Sequence, residues 1–182
     1  VNPEQGLGFA ETLRAALRQD PDVLLIGEIR DEETASIAVK AALTGHLVLS
    51  TLHSSDAVTS IQRLLNLGIA PDLLAETLTV IISQRLVRRL CSHDNDDKPD
   101  SKTIHKNCLR CRGTGYSGRI PVYEILKVNS LVRDRIQAGD TGRKLIRPGP
   151  ELYFHTMEQT AQRLTKEGLT DWKELQPLLL DA

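Results

Sequence analysis

Long apolar runs are missing from this 182-residue chain: none approaches the ~20 residues of a membrane-spanning helix or the apolar stretch of a signal peptide. An excess of charge of one sign is missing too. With 23 Lys and Arg against 24 Asp and Glu, the formal net charge is -1, which leaves no basic field for a nucleic-acid backbone. Cysteine is scarce, at three residues, two of them in Cys108-Leu109-Arg110-Cys111. That argues against a disulfide-stapled secreted domain and for a cytoplasmic compartment with reduced thiols. There is no initiator Met, and opening on Val1-Asn2-Pro3 the chain reads as a piece of something longer. What is present, 40% apolar and 26% charged residues, suits a soluble globular domain, or a core with a small appendage.

Phe9, Leu13, Ala16 and Leu17 recur at helical spacing and predict a helix over 8–18, stopped by Asp20-Pro21-Asp22. Val23-Leu24-Leu25-Ile26 has no alternation, as expected for a central strand of a parallel sheet covered on both faces. Asp31 is placed as an N-cap ahead of Glu32 and Glu33; Ile37, Ala38, Ala41 and Ala42 then form one stripe, and Gly45 is the stop. Leu47 to Thr51 reads as a second buried strand leading into a helix that ends at Gly68. This strand–helix–strand–helix unit requires parallel strands and a right-handed crossover.

From Pro71 a long helix is expected through Leu90, carrying Arg85, Arg88 and Arg89 on a solvated face. Residues 92–106 are polar and acidic and predict a loop; its spaced aspartates lack the glycine of a calcium loop, with Pro99 and Asp100 in its place. A short strand over 119–124 and helices near 129–138, 155–167 and 171–180 complete the chain, with Tyr153, Phe154 and Trp172 assigned to the core of the C-terminal helices. The expected division is 1–90 as α/β core, 91–122 as a cysteine module and 123–182 as a helical region.

In parallel α/β folds ligands sit at the carboxyl ends of the strands, and both strands end in polar residues: Gly27-Glu28 and Thr51-Leu52-His53. A carboxylate and an imidazole would then share one crevice. Glu28 can orient a water or accept from metal-bound water; His53, with Thr51, can stabilise phosphate oxygens. Spacing alone leaves a plainer reading equally open, with Glu28 a helix-start acid and His53 a loop histidine.

Leu24-Leu25-Ile26-Gly27-Glu28-Ile29-Arg30-Asp31 resembles the atypical Walker B box of type II secretion and type IV pilus assembly ATPases, and Thr44-Gly45-His46-Leu47-Val48-Leu49-Ser50-Thr51-Leu52-His53 resembles their His box. The lead-in Leu17 to Asp22, Gln84-Arg85-Leu86-Val87 and Cys91 extend the likeness over residues 6–126. The resemblance implies the C-terminal part of a RecA-like core that works as a hexamer and hydrolyses ATP with Mg2+. It further implies a cytoplasmic, peripheral place at the inner membrane, driving secretion or pilus platform proteins, with no nucleic-acid partner. By motif match the catalytic candidates are Glu28, His46 and His53, and the nucleotide-site candidates are Gly27, Arg30, Asp31 and Thr51.

A phosphate loop needs Gly-x-x-x-x-Gly-Lys-Ser/Thr, and no such string exists here. Gly113 to Ile120 has the glycine spacing but puts Arg119 and Ile120 where Lys and Ser/Thr belong, so it reads as a turn beside a metal knuckle. The isolated chain is therefore expected to be inactive in hydrolysis. The family's two Cys-x-x-Cys pairs imply a structural zinc site. Cys91, Cys108 and Cys111 match, but the first pair reads Cys91-Ser92-His93-Asp94, which leaves the fourth place open to His93, Asp94 or His105. A degenerate module with three thiols is the competing reading. For the protein as a whole, the alternative to a motor subunit is a non-catalytic, zinc-stabilised module that docks on the motor or platform.

Overall fold

The computed structural model describes residues 8–92 and 108–180; the acidic loop expected over 92–106 falls almost wholly outside them, as do His93, Asp94 and His105. The described chain forms two compact units. Each is discontinuous in sequence: one comprises residues 1–81 with 127–153, the other 82–126 with 154–182.

The first unit begins with α1 (Phe9–Leu17), β1 (Val23–Ile26), α2 (Glu32–Leu43), β2 (Leu47–Ser50), α3 (Ala57–Asn66) and α4 (Pro71–Thr77). β1 and β2 pair in parallel, with Val23 opposite Leu47 and Ile26 opposite Ser50. Asp31 caps α2 as expected: its Oδ1 accepts from the Thr34 N–H at 2.8 Å, a bond of a kind that contributes about 1 kcal/mol. Ala35, Ile37, Ala38 and Ala41 are buried along α2, which packs on α1, α4 and β2. Gly45, at φ +98°, then turns the chain into β2 through a left-handed conformation that costs any side-chain-bearing residue.

The long helix expected from Pro71 to Leu90 does not form. α4 ends at Thr77, Leu78 is already extended, and β3 runs from Val80 to Leu90. Thr79-Val80-Ile81-Ile82 is four β-branched residues in a row, which are restricted in a helix and fit a pleated strand. After β4 (Tyr116–Lys127) the chain re-enters the first unit as α5 (Ser130–Gln137), which packs on α4 and buries Val132 and Ile136. Arg135 donates from Nη1 to the carbonyls of Leu145 and Arg147, at 3.0 and 2.8 Å, and so pins the loop that follows around a 3-10 turn at Gly142–Lys144.

In the second unit β3, β4 and β5 (Phe154–His155) form a sheet in that order, backed by α6 (Met157–Lys166) and α7 (Trp172–Leu180). β4 is about twice the length expected, and β5 is a strand the sequence did not predict. Its core joins Val87 and Val122 from the strands to Met157, Ala161, Leu164 and Leu175 from the helices. Tyr153 and Trp172, expected in that core, are about half exposed instead. Arg88, expected on a solvated helix face, donates to Glu174 through Nε at 2.9 Å and Nη2 at 2.5 Å, and lies 4.1 Å above the centre of the Tyr116 ring. The Tyr116 hydroxyl donates to Asp171, and burial, ahead of that bond, pushes its pKa up to about 12.

Among the described residues, only one face of the parallel pair is covered. Leu24 and Ile26 are buried, but Val23, Leu25, Leu47 and Leu49 are 52, 79, 56 and 49% exposed, and the register sets them side by side as two cross-strand pairs. The unalternating apolar run of β1 is that of a doubly covered strand, and here its outer half faces solvent. A double Leu25→Thr, Leu49→Thr variant of residues 1–182 should therefore bind less apolar fluorescent dye and stay soluble at higher concentration. Its Tm should be unchanged, since no buried group is removed. A Tm loss of the kind that follows truncation of a core Leu, about 2–5 kcal/mol in stability, would show that the face is packed in solution.

Candidate functional site

The site is built by the strand ladder. Because Ile26 pairs with Ser50, the segments leaving β1 and β2 run on abreast. The Ile29 N–H donates to the Thr51 carbonyl at 3.0 Å, and the Thr51 hydroxyl donates to the Gly27 carbonyl at 2.6 Å. Ile29 is buried, at 8% exposure, so it anchors the segment to the core. The flanking Glu28 and Arg30 are more exposed, at 23 and 69% of their side chains, and meet each other on the outer side.

On that side, Glu28 is held by two partners. His53 Nε2 lies 2.8 Å from Oε2, and Arg30 Nη2 lies 2.6 Å from Oε1. The Glu28 side chain is 23% exposed, against 69% for Arg30 and 80% for His53. The Arg30 hydrogen bond holds the Glu28 carboxyl below its usual range; burial acts in the opposite direction, and His53 adds to the lowering. Glu28 in turn raises the pKa of Arg30. Facing an ionised carboxylate, the Nε2 of His53 carries a hydrogen, either as imidazolium or as the Nε2–H tautomer. Together these groups present a fixed anion, ringed by donors, at the carboxyl end of a parallel pair.

Of the other expected site residues, Gly27 and Thr51 are the hydrogen-bonded pair that holds the two segments together. Asp31 uses both carboxylate oxygens on Thr34, Oδ1 for the backbone N–H and Oδ2 for the hydroxyl at 3.1 Å, so it belongs to the helix start. His46 stands at the opposite end of β2 from His53. Its Nδ1 is 3.0 Å from both the Ala41 carbonyl oxygen and Thr44 Oγ1, at the C-terminus of α2, and the structure does not bring it to Glu28. The pairing of Arg30 with Glu28 within one chain escaped the motif reading. Its signal was the i, i+2 spacing in an extended segment. Beyond His53, Asp56 caps α3 through the Thr59 N–H at 2.7 Å, and the Ser54 and Ser60 hydroxyls bond at 2.7 Å, which ties down the far side of the site.

The three cysteines come together in the second unit. Their Sγ atoms all lie within 4.8 Å of one another, and Cys91 Sγ is 3.8 Å from Cys108 Sγ. Two thiolates on a tetrahedral zinc, at Zn–S ≈ 2.3 Å, stand about 3.8 Å apart, so this set fits three corners of such a site. Cys91 is fixed by its N–H donating to the Gly115 carbonyl, and Cys108-Leu109-Arg110-Cys111 turns as a knuckle, with the Arg112 N–H donating to the Cys108 carbonyl. Arg112 and Gly113 follow at φ +49° and +78°. Burial, then Cys108, pushes the Cys91 thiol up to about 11, so the thiol is protonated until something replaces the proton. The string Gly113 to Gly118 links this knuckle to β4; it does not join a strand to a helix as a phosphate loop does.

Comparison with known proteins bears on the family and the fold. The family model described as "Type II/IV secretion system protein" matches residues 1–177. The type IV pilus assembly ATPase PilB of Thermus thermophilus is 40% identical over 96% of this chain, which covers 22% of that relative. The type II secretion system protein E of Klebsiella pneumoniae is 43% identical over 96% of this chain and 38% of its own length. The chain thus spans well under half of the curated relatives it matches. Among solved structures, the pilus retraction motor PilT with bound ADP superposes with a TM-score of 0.69 at 32% identity, over 94% of this chain and 43% of PilT. The ATPase DotB of Legionella pneumophila gives 0.69 at 25% identity, over 96% of this chain and 43% of DotB. These neighbours support a RecA-like α/β fold. The chain belongs to the type II/IV secretion system protein family, and it corresponds to part of the length of that family's motor ATPases.

Proposed function

We propose that this chain is the C-terminal part of a motor ATPase that powers type II secretion or type IV pilus assembly, with Glu28 as the carboxylate that orients the attacking water. The observation that carries the reading is the Glu28–His53 pair, at 2.8 Å, on the adjacent carboxyl ends of two parallel strands. Phosphoryl transfer asks a protein chiefly for position and electrostatics, and a held carboxylate beside a nitrogen donor supplies both. Glu28 holds the water, and His53 donates toward phosphate oxygens from the neighbouring strand end. Thr51 maintains the distance between the two. ATP with Mg2+ is the substrate in the longer parent, which acts as a homo-hexamer on inner-membrane platform proteins. The Walker A lysine is not among residues 1–182. The three thiols hold a structural Zn2+, with the fourth ligand drawn from His93, Asp94 or His105.

In the full-length parent, Glu28→Gln should lower kcat for ATP by about 100-fold or more while the protein still binds nucleotide. A variant with unchanged kcat would remove Glu28 from this role. Residues 1–182 alone should turn over ATP at a small fraction of the parent's rate, and a parent-like rate that Glu28→Gln abolishes would contradict the need for an upstream phosphate loop. Protein purified without chelator should contain about one equivalent of zinc, and Cys108→Ser should lower that content; metal analysis well below one equivalent would sink the zinc site.

A further inference from the structure

The Arg30–Glu28 pair does a job that the motif match leaves open. The two charges sit on one chain, two residues apart, on either side of Ile29, which is buried and hydrogen-bonded to Thr51. Glu28 is thereby gripped at both oxygens, Oε1 by Arg30 at 2.6 Å and Oε2 by His53 at 2.8 Å, which fixes the plane of the carboxylate. A carboxylate offers about four acceptor positions, so two stay available for a water and its orientation is set by the other two. The charged groups that act on Glu28 are Arg30, from its own segment, and His53, from the segment after β2. His53 is a cation only when protonated, so Arg30 is the permanent one.

We propose that Arg30 is a positioning residue: it acts through Glu28, holding the carboxylate in one plane, and it does not bind nucleotide itself. The inference rests on the reading of Glu28 as the water-orienting group. It assigns Arg30 a role within the chain in place of a contact across an interface or to phosphate. A guanidinium suits that role because its planar fork fixes direction as well as charge, whereas an ammonium supplies charge alone.

The test compares Arg30→Gln, Arg30→Lys and Glu28→Gln in the full-length parent, together with 13C titration of the Glu28 carboxyl in residues 1–182. Arg30→Gln should lower kcat about 10-fold and leave KM for MgATP within about 2-fold. Because Arg30 holds the Glu28 pKa down, its removal should move both the carboxyl titration and the acid limb of kcat to higher pH. Arg30→Lys, which restores the charge, should return the titration and limb towards wild type and recover part of kcat. A raised KM with normal kcat would place Arg30 on the nucleotide and overturn the proposal. So would a Glu28 titration that Arg30→Gln leaves in place. If Glu28→Gln retains wild-type kcat, the functional reading fails on its own account; if Glu28→Gln is inactive while Arg30→Gln is normal with an unmoved limb, only the role of Arg30 fails. Should Arg30→Gln not fold, the Arg30→Lys titration and kinetics still decide the matter, because a wild-type kcat there would show that guanidinium geometry is not required.

Discussion

The candidate site depends on one constraint, the parallel register of β1 and β2 with Ile26 opposite Ser50. Side chains alternate along a strand, so a slip by one residue would turn Leu24 and Ile26 outward and part the Glu28 carboxylate from His53. Two features guard against that slip. Inside, Leu24, Ile26 and Ile29 are buried on the core side. Beyond the strand ends, the Ile29 N–H bonds the Thr51 carbonyl and the Thr51 hydroxyl bonds the Gly27 carbonyl, which extends the ladder past the last paired residues. Hydrophobic burial selects the face, and hydrogen bonds carry that choice two residues further to the polar groups.

Much of this was legible in the sequence, and the reasons are local. α2 was found over its whole length because Asp31, the two glutamates, the alanine stripe and Gly45 all specify the same helix. The adjacency of Glu28 and His53 followed from two apolar runs that each ended in polar residues. The stretch from Pro71 to Leu90 was misread because a good helix start was allowed to propagate into Thr79 to Ile82, where β-branching opposes it. β3 pairs with β4, and β4 in turn with β5, and such pairing over long sequence separation leaves little periodic trace. The same blindness hid the Arg88–Glu174 bond. Asp171 and Glu174 read as a capping box, and Asp171 does accept from the Glu174 N–H at 3.1 Å, but the Glu174 carboxylate is drawn to Arg88 on a strand that the sequence did not reveal.

The two units carry different kinds of order. The cysteine cluster is covalently short-ranged: Cys108 and Cys111 are brought together by a knuckle that Arg112 and Gly113 complete in left-handed conformations, and only Cys91 arrives from a distance, at the end of β3. A metal there would lock the start of β4 to the end of β3. The parallel pair is the reverse case, since among the described residues its apolar outer side chains Val23, Leu25, Leu47 and Leu49 are half exposed or more. Burial of that face would reduce water's access to the strand ends.

Stability does not account for an ion pair at this place. Arg30 is 69% exposed, and a pair so open to solvent and salt adds little to stability. Nor does the fold need it, since Ile29, Thr51 and Gly27 already hold the segment. A charge placed where it scarcely stabilises the chain, yet fixes the direction of a carboxylate, is best explained by what the carboxylate does. The orientation costs little while the site is open. Once water is excluded, the same geometry strengthens every interaction of Glu28, because the effective dielectric constant falls and the donors need not move.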